Sequence, residues 1–208
     1  YRYDLVTPSG VIADCTLGIP GWVNVENAVA AVAAMWCAAR AEGGTLDTER
    51  LRRALAAFEG VKRRFEFYVN TPRQVYMDDY AHHPGELKAL LDTVETLNYK
   101  RSIVVFQPHT YSRTAALFDD FVTQLKRPDV LFLAEIYAAR EKNTIGISSA
   151  DLAAKIDGAR FFPTFDGLEA ALRETLEPGD IVLTVGAGNV YKIGEDIPVS
   201  YTHLRAHE

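Results

Sequence analysis

"SIVVFQPHTYSRT", residues 102–114, joins an unbroken apolar run to a cluster of polar side chains. A continuous apolar run without alternation is typical of a strand that is buried on both faces, as in a parallel sheet. The polar part places His109, Tyr111, Ser112 and Arg113 within five residues. Open parallel sheets bind ligands at the carboxyl ends of their strands. This stretch therefore predicts both an α/β fold and the edge of the sheet where its chemistry lies.

The pattern of 102–114 recurs along the chain, because strand-like and helical segments alternate from about residue 60 onward. Strands are predicted at 59–69, 69–77, 102–107, 129–137, 160–165 and 180–188. Helices are predicted at 84–97, 113–126, 148–156 and 166–176, the third beginning with a capping-box pattern, Ser148 with Asp151. Such alternation predicts βαβ units and a mostly parallel sheet.

Polar clusters follow four of these strands at the point where each strand ends. They are "DDYAHHP" at 78–84, "QPHTYSRT" at 107–114, "YAAREKN" at 137–143 and "GAGN" at 186–189. Because parallel strands end at a common edge, the four loops are expected to form one site.

The first 60 residues do not show this alternation of strands and helices. Residues 1–17 alternate like a β-hairpin, and helical patterns follow at 24–40 and 48–58. A domain boundary is predicted near Gly60. The chain opens in the middle of a pattern, so we expect a fragment that lacks its natural N-terminus, and the aperiodic 198–208 is expected to be a non-native tail.

Composition narrows the class of protein. The 208 residues are 48% hydrophobic and 24% charged with a net charge of −6, which is typical of a globular protein and argues against a general nucleic-acid binder. No apolar run reaches the ~18 residues of a membrane span, and no signal peptide is recognisable. Cys15 and Cys37 lie among apolar residues without metal-ligand spacing, and they are expected to be buried free thiols of a cytoplasmic protein.

"DDYAHHPGE", residues 78–86, admits three interpretations. A metal site would use His82, His83 and either Asp78 or Asp79, but adjacent histidines point apart and no HExxH pattern occurs. A helix start would use His83 and Pro84, with Glu86 at the positive end of the helix. A substrate-binding site at the strand end is the third interpretation. One aspartate would accept hydrogen bonds from ribose hydroxyls, and a histidine would bind or deprotonate an amine. The last two interpretations are compatible, and both are predicted.

Two basic features also have a structural and a functional interpretation. Arg113 could hold a carboxylate bidentately, or it could be solvated while Ser112 caps the helix. Lys62, Arg63 and Arg64 could be a solvated charge run, or they could contact a phosphate at the domain junction. No GxxxxGK[ST] phosphate loop occurs in the chain.

Six stretches together resemble the Mur ligases of peptidoglycan synthesis, and they occur in that family's order over about 25–195. They are "NVENAVAAVAA" at 24–34, "GVKRRFE" at 60–66, "DDYAHHPGE" at 78–86, "FQPHTYSRT" at 106–114, "EIYAAREKN" at 135–143 and "GAGN" at 186–189.

The resemblance implies a particular architecture and reaction. Residues 1–60 would be the C-terminal part of a central α/β ATPase domain, and 61–197 would be a Rossmann-like, amino-acid-binding C-terminal domain. ATP would phosphorylate the carboxylate of UDP-N-acetylmuramate, and L-alanine would attack the acyl phosphate. Mg²⁺ would bridge the phosphates, with ligands mainly outside this chain. Such an enzyme would be cytoplasmic, with neither nucleic acid nor membrane as a partner; the sequence sets no oligomeric state.

The family's nucleotide-binding residues match four positions of this chain. Asn24 and Asn27 match paired asparagines, at least one of which reads the adenine, and their spacing of three places both on one helical face. Arg64 matches a junction arginine that reaches the γ-phosphate during catalysis, and Asp79 matches a ribose-binding aspartate.

The family's amino-acid-binding region matches Tyr80, His82, His109 and Arg113. On electrostatic grounds Arg113 would hold the carboxylate of the amino acid. His82 or His109 would accept the proton of the amine, and the sequence does not choose between them.

Three positions depart from the family's pattern. Val23 stands where a histidine is frequent, and Ala81 where a glycine is frequent. Thr110 replaces an arginine that many members carry, which removes one possible carboxylate contact. Arg113 is therefore the residue expected to bind the carboxylate.

Three alternatives remain beside an alanine-adding ligase. A muropeptide ligase of cell-wall recycling would add a tripeptide to the same sugar nucleotide, although "QPHTYSRT" and "YAARE" favour the alanine-adding branch. A non-catalytic nucleotide-binding Rossmann module would have no need of the cluster between His109 and Arg113. A metal-binding protein would depend on His82 and His83.

Overall fold

A computed structural model describes residues 1–71 and 73–194. The chain divides into two compact units, Tyr1–Val61 and a second unit that begins at Lys62. No helix in these two ranges combines the length and the apolar character that crossing a membrane requires. The proposed tail at 198–208, and the last residues of the proposed domain at 61–197, lie outside the described residues.

The first unit is a hairpin packed with two helices. Its elements are β1 Arg2–Thr7, β2 Gly10–Thr16, α1 Trp22–Ala41 and α2 Thr48–Ala56. The antiparallel pairing of β1 with β2 confirms the predicted hairpin. A small core forms because Leu5, Ile12 and Cys15 face Val25 and Leu51.

Two sequence expectations for the first unit were wrong. Helix α2 ends at Ala56, two residues before the predicted end, and Phe58 is 41% exposed. Cys37 is exposed on α1, whereas Cys15 is buried. The apolar neighbours of Cys37 misled the prediction, because α1 is Ala-rich on all sides and its buried stripe consists of Val25, Ala28 and Val32.

The second unit is an α/β domain built on one six-stranded sheet. Its strands are β3 Glu66–Thr71, β4 Gln74–Asp79, β5 Arg101–Phe106, β6 Val130–Ala134, β7 Arg160–Phe162 and β8 Asp180–Val185. Its helices are α3 Pro84–Val94, α4 Tyr111–Ala116, α5 Phe118–Leu125, α6 Ser149–Ala153 and α7 Phe165–Thr175.

The sheet order is β3-β4-β8-β5-β6-β7, and every pairing except β3 with β4 is parallel. The apolar runs behave as the sequence predicts, because β8 is buried at every residue and β5 at all but its first. The α/β fold class with a mostly parallel sheet is therefore confirmed.

Helix α3 begins as predicted, with His83 as N-cap and Pro84 in the first turn. The His83 side chain accepts from the Gly85 amide, and the Glu86 carboxylate accepts from the His83 amide, which completes a capping box. The Ser148–Asp151 capping box of α6 is also confirmed.

The single helix predicted at 113–126 was wrong, because two helices occupy this segment. Helix α4 ends at Ala116 and α5 starts at Phe118, with Leu117 between them at φ −117° and ψ 26°. Apolar periodicity continues across Leu117, so the sequence pattern predicts one helix. The helical conformation is nevertheless interrupted at this residue.

Candidate functional site

The carboxyl ends of β4, β8, β5 and β6 lie side by side at one edge of the sheet. The four polar loops predicted to meet therefore do meet. A parallel bridge between His109 and Tyr137 joins the loops after β5 and β6 directly. The Gly186 amide donates to the Asp79 carbonyl oxygen at 3.0 Å, which ties the loop after β8 to the end of β4.

Four aromatic rings form a continuous line along this edge. The centroid of Tyr80 lies 5.4 Å from that of His82, and His82 lies 5.7 Å from His109 in an edge-on arrangement. His109 then stacks on Tyr137 at 5.7 Å with an interplanar angle of 20°. The structure thus brings together three of the residues predicted to receive the amino acid, Tyr80, His82 and His109.

The hydrogen bonds of His82 define which of its ring nitrogens carries a proton. Its Nδ1 lies 3.0 Å from the Tyr80 carbonyl oxygen and 3.3 Å from the Glu86 carboxylate. Both neighbours only accept hydrogen bonds, so Nδ1 is protonated. In neutral His82 the free lone pair is therefore on Nε2.

His109 has the opposite arrangement. Arg113 Nη1 lies 3.3 Å from His109 Nδ1, and because a guanidinium only donates, Nδ1 accepts. In neutral His109 the proton is therefore on Nε2. Burial lowers the pKa of His109, and the positive charge of Arg113 and the nearby His82 lower it further.

Arg113 is half-buried on the first turns of α4, and its contact with His109 completes the predicted acceptor cluster. Ser112 does not cap this helix, contrary to the structural interpretation of the sequence. Its amide and hydroxyl instead donate to the Glu141 carboxylate, which lies on the loop after β6. The N-cap is Thr110, at φ 67° without a side-chain cap.

The basic run at 62–64 divides into two roles. Arg63 is not solvated: its side chain is 15% exposed, and its Nε donates at 2.9 Å to Asp78, whose side chain is fully buried. Its terminal nitrogens donate to the Gly186 and Gly188 carbonyl oxygens, and its guanidinium lies over the rings of Tyr80 and Tyr191. Arg63 therefore joins β4 to the glycine loop after β8.

Arg64 faces solvent. Its guanidinium lies 5.8 Å from the centroid of the Tyr80 ring, and it makes no ion pair within the described residues. A charged group in this position is available to an anion, whereas the guanidinium of Arg63 is already engaged.

Asp79 is nearly buried, with 4% of its surface exposed. One carboxylate oxygen accepts from the Phe65 amide at 3.0 Å and the other from the Ala81 amide at 2.8 Å. Burial raises the pKa of Asp79, and these two amide hydrogen bonds oppose the rise. The two amide contacts let the side chain hold the loop after β4 in place, and each oxygen retains a further lone pair.

Gln107 fastens the glycine loop to the end of β5. Its side-chain oxygen accepts from the Asn189 and Val190 amides at 2.9 and 3.1 Å, and its side-chain nitrogen donates to Asn189 Oδ1 at 3.0 Å. Gly188 fits only because it lacks a side chain: a Cβ there would collide with Gln107 Oε1 and approach Tyr137 Cβ to 2.8 Å.

Gly188→Ala is therefore expected to lower the free energy of unfolding by roughly 1–3 kcal/mol, as overpacking of a close contact does. It should also disturb the ring stack of Tyr137 with His109. Urea unfolding checks the first effect. Gly167→Ala is the matched control, because Gly167 lies on helix α7 and the atom nearest to an added Cβ, Thr164 Oγ1, is 3.6 Å away. Equal stability of the two variants would contradict the close packing.

Asn24 and Asn27 belong to α1 of the first unit. The side chain of Asn24 donates to the Pro20 carbonyl oxygen at 2.5 Å, whereas Asn27 is exposed. Asn24 is partly engaged in fastening the start of its own helix.

Sequence reasoning missed Arg63 and Gln107. A usable signal existed for Arg63, because the hairpin of β3 and β4 pairs Glu66 with Asp78 and so carries residue 63 back to the strand end. Gln107 was visible as a polar residue that closes an apolar strand.

Within the described residues, no group of three or more His, Cys, Asp or Glu side chains could hold a metal ion. The rings of His82 and His83 have separate tasks, since His83 caps α3 and His82 faces His109. In the described part of the chain, the two histidines therefore do not form a common metal site.

The sheet and the loops at its strand ends lie in a segment that matches a ligase family: the family model "Mur ligase, glutamate ligase domain" covers residues 63–188. The chain belongs to the Mur ligase family. It is 43% identical over 186 residues to the UDP-N-acetylmuramate–L-alanine ligase of Lachnospira eligens, and 44% identical over 188 residues to that of Agathobacter rectalis. These alignments cover 88% of this chain, and 39% and 40% of the relatives.

Among solved structures, UDP-N-acetylmuramate–alanine ligase MurC from Thermotoga maritima matches with a TM-score of 0.74 and 25% identity. The match covers 91% of this chain and 40% of that protein. The chain thus spans about 40% of the length of the relatives it matches.

Proposed function

We propose that this chain is the C-terminal portion of an ATP-dependent ligase that joins L-alanine to the carboxylate of UDP-N-acetylmuramate in peptidoglycan precursor synthesis. One observation carries the proposal: the sheet edge presents a guanidinium, Arg113, beside two imidazoles with opposite proton assignments. An amino acid has a carboxylate for the first and an amine for the second. The names of the two relatives, both UDP-N-acetylmuramate–L-alanine ligases, support L-alanine and UDP-N-acetylmuramate as the proposed substrates.

The domain assignment follows from the same family membership. Residues 1–60 are proposed to be the end of a central ATP-binding domain, and 61–197 the amino-acid-binding domain. ATP, UDP-N-acetylmuramate and L-alanine are the proposed ligands, and the cytoplasm, which contains all three, is the proposed location.

The proposed reaction has two steps. The γ-phosphoryl group of ATP passes to the lactyl carboxylate of the sugar nucleotide and gives an acyl phosphate. The amine of L-alanine then forms a C–N bond to the acyl carbon, and the C–O bond to phosphate breaks with its electron pair on the leaving phosphate. Mg²⁺ would neutralise charge on the phosphates when bound.

Each predicted site residue has a task in this scheme. Arg113 holds the alanine carboxylate, and Tyr80 forms a wall of the acceptor site beside His82. Asp79 accepts from the ribose hydroxyls through the lone pairs that its amide contacts leave free. Asn24 and Asn27 read the adenine, with Asn27 the more available of the two because its side chain is exposed.

Arg64 is proposed to contact the γ-phosphate, since its guanidinium is exposed and makes no ion pair in the described part of the chain. In the complete enzyme, Arg64→Ala is expected to reduce kcat/KM for ATP about tenfold, the value of one charge-assisted contact. Steady-state kinetics with varied ATP measures this. Lys62→Ala, on the same basic run, is the control; equal losses in both variants would indicate only a general effect of positive charge.

The proposal is tested by phosphate release from the complete enzyme. ATP, magnesium and UDP-N-acetylmuramate are supplied, and L-alanine, glycine, L-serine or the cell-wall tripeptide is offered in turn. Release that is greatest with L-alanine supports the proposal. Release only with the tripeptide would assign the protein to muropeptide recycling, and tight ATP binding without release for any acceptor would leave a non-catalytic nucleotide-binding module.

A further inference from the structure

We propose that Glu86 is a positioning residue that fixes His82 as the base for the attacking amine, while His109 acts as a hydrogen-bond donor in the same site. The inference deepens the proposed function and rests on it. It resolves the choice between the two histidines that the sequence leaves open.

The first step is the geometry around His82. Glu86 Oε2 accepts from the His82 amide at 2.9 Å and from the His83 amide at 3.2 Å, and it lies 3.3 Å from His82 Nδ1. One carboxylate oxygen therefore holds the backbone of this histidine by a hydrogen bond and lies within ion-pair distance of its ring. With Nδ1 directed at Glu86 and the Tyr80 carbonyl, Nε2 is the nitrogen that can take a proton.

The second step is that His109 lacks this capacity. Its Nδ1 lone pair is occupied by Arg113, and its Nε2 carries the proton. Burial and the charge of Arg113 lower the pKa of His109 and so favour the neutral ring, which presents an N–H donor to an oxygen of the substrate. The two rings, 5.7 Å apart, thus offer one acceptor and one donor.

The charged and titratable groups that face His82 come from several elements. Glu86 comes from α3, Tyr80 from the end of β4, and His109 from the loop after β5. Behind His109 lie Arg113 on α4 and Glu141 after β6. Glu86 is the negative group nearest to the His82 ring, and it therefore favours the imidazolium that forms during the reaction.

The proposed step conserves atoms and charge. The alanine nitrogen bonds to the acyl carbon of the acyl phosphate and becomes positively charged. Its surplus proton passes to His82 Nε2, and phosphate leaves with the electron pair of its C–O bond. A base is needed because an amine that attacks a carbonyl carbon must lose a proton to form a stable amide.

Helix capping is the competing role for Glu86, since its carboxylate completes the capping box of α3. The chain provides a matched control for that role. Asp151 accepts from the Ser148 amide at 2.8 Å in the capping box of α6, where Ser148 stands in place of the capping histidine. Glu86→Gln and Asp151→Asn remove the same kind of capping charge, and only the first affects His82.

The test uses the complete enzyme with two acceptors, L-alanine and hydroxylamine. Hydroxylamine is largely unprotonated at neutral pH and captures an acyl phosphate without a strong base. Glu86→Gln is expected to lower kcat with L-alanine about tenfold, part of the rate that a positioned base supplies. Hydroxamate formation and the KM for L-alanine should stay within about twofold of wild type. Asp151→Asn should change neither rate.

The difference between the two acceptors provides a readout that capping alone would not move. A folding defect from a lost cap would lower hydroxamate formation and the rate with L-alanine together. Only the loss of a positioned base lowers the L-alanine rate by itself.

Equal losses with both acceptors would overturn the positioning role and leave Glu86 as a helix cap. Failure of the proposed function looks different. In that case wild-type enzyme with ATP and UDP-N-acetylmuramate would form no hydroxamate at all.

Discussion

Arg113→Ala is expected to raise the KM for L-alanine roughly ten- to a hundredfold in the complete enzyme, the effect of losing a charge-assisted contact of about 1.5–3 kcal/mol. Arg113 already donates one N–H to His109, and its remaining N–H groups can bind a carboxylate. Removing this positive charge also raises the pKa of His109, because Arg113 is one of the groups that lower it. The variant therefore loses the carboxylate contact, and the pKa of His109 moves back toward its ordinary value.

Initial rates with varied L-alanine measure this effect, and the KM for ATP serves as the internal reference. Arg127→Ala is the matched control, since Arg127 pairs with Asp92 and Glu95 on the surface between α3 and α5. An Arg113→Ala enzyme whose KM for L-alanine stays at the wild-type value would remove Arg113 from the acceptor site.

The largest stability effect is expected from Arg63→Ala. This variant should lower the free energy of local unfolding of strands β4 and β8 by about 3–5 kcal/mol. Asp78 is completely buried, and Arg63 is the cation that pairs with it. The variant leaves Asp78 with a hydrogen bond from Thr184 but without its ion-pair partner. It also leaves two carbonyl oxygens of the glycine loop without their donors.

The loss should depend on pH in a defined direction. Burial raises the pKa of Asp78, and Arg63 opposes this rise. Without Arg63 the pKa of Asp78 in the folded protein rises further above its unfolded value. The folded variant can then take up a proton, so the destabilisation is largest above the raised pKa and becomes smaller as the pH falls through it.

Native-state hydrogen exchange at the amides of β4 and β8 measures this free energy locally. The control is the neighbouring Arg64→Ala, which removes an exposed guanidinium and should change stability by less than about 0.5 kcal/mol. Similar losses in the two variants would contradict the division of the basic run into one structural and one exposed arginine.

The sequence predicts those strands that are buried on both faces, because such strands consist of apolar residues without alternation. Strands β5 and β8 are continuous apolar runs, and the loops between strands carry the expected polar clusters. The break at Leu117 could not be predicted in this way, because hydrophobic periodicity continues through it while the backbone dihedral angles do not.

The site could be predicted as a set of residues but not as a set of roles. His82, His109 and Arg113 do lie together, yet which nitrogen accepts a proton depends on the Tyr80 carbonyl, Glu86 and the guanidinium. The roles of the individual side chains in the basic run at 62–64 could not be predicted either. Only the pairing of β3 with β4 brings Arg63 to the buried Asp78. Short-range patterns do not contain such long-range partners.

The central claim is that this chain serves a ligase that works through an acyl phosphate of UDP-N-acetylmuramate. Its most direct test is a single turnover of the complete enzyme with a substrate whose carboxylate is labelled with ¹⁸O, followed by mass spectrometry of the products. We predict that one labelled oxygen appears in each inorganic phosphate and that UDP-N-acetylmuramoyl-L-alanine forms in equal amount. Phosphate free of the label would contradict the account.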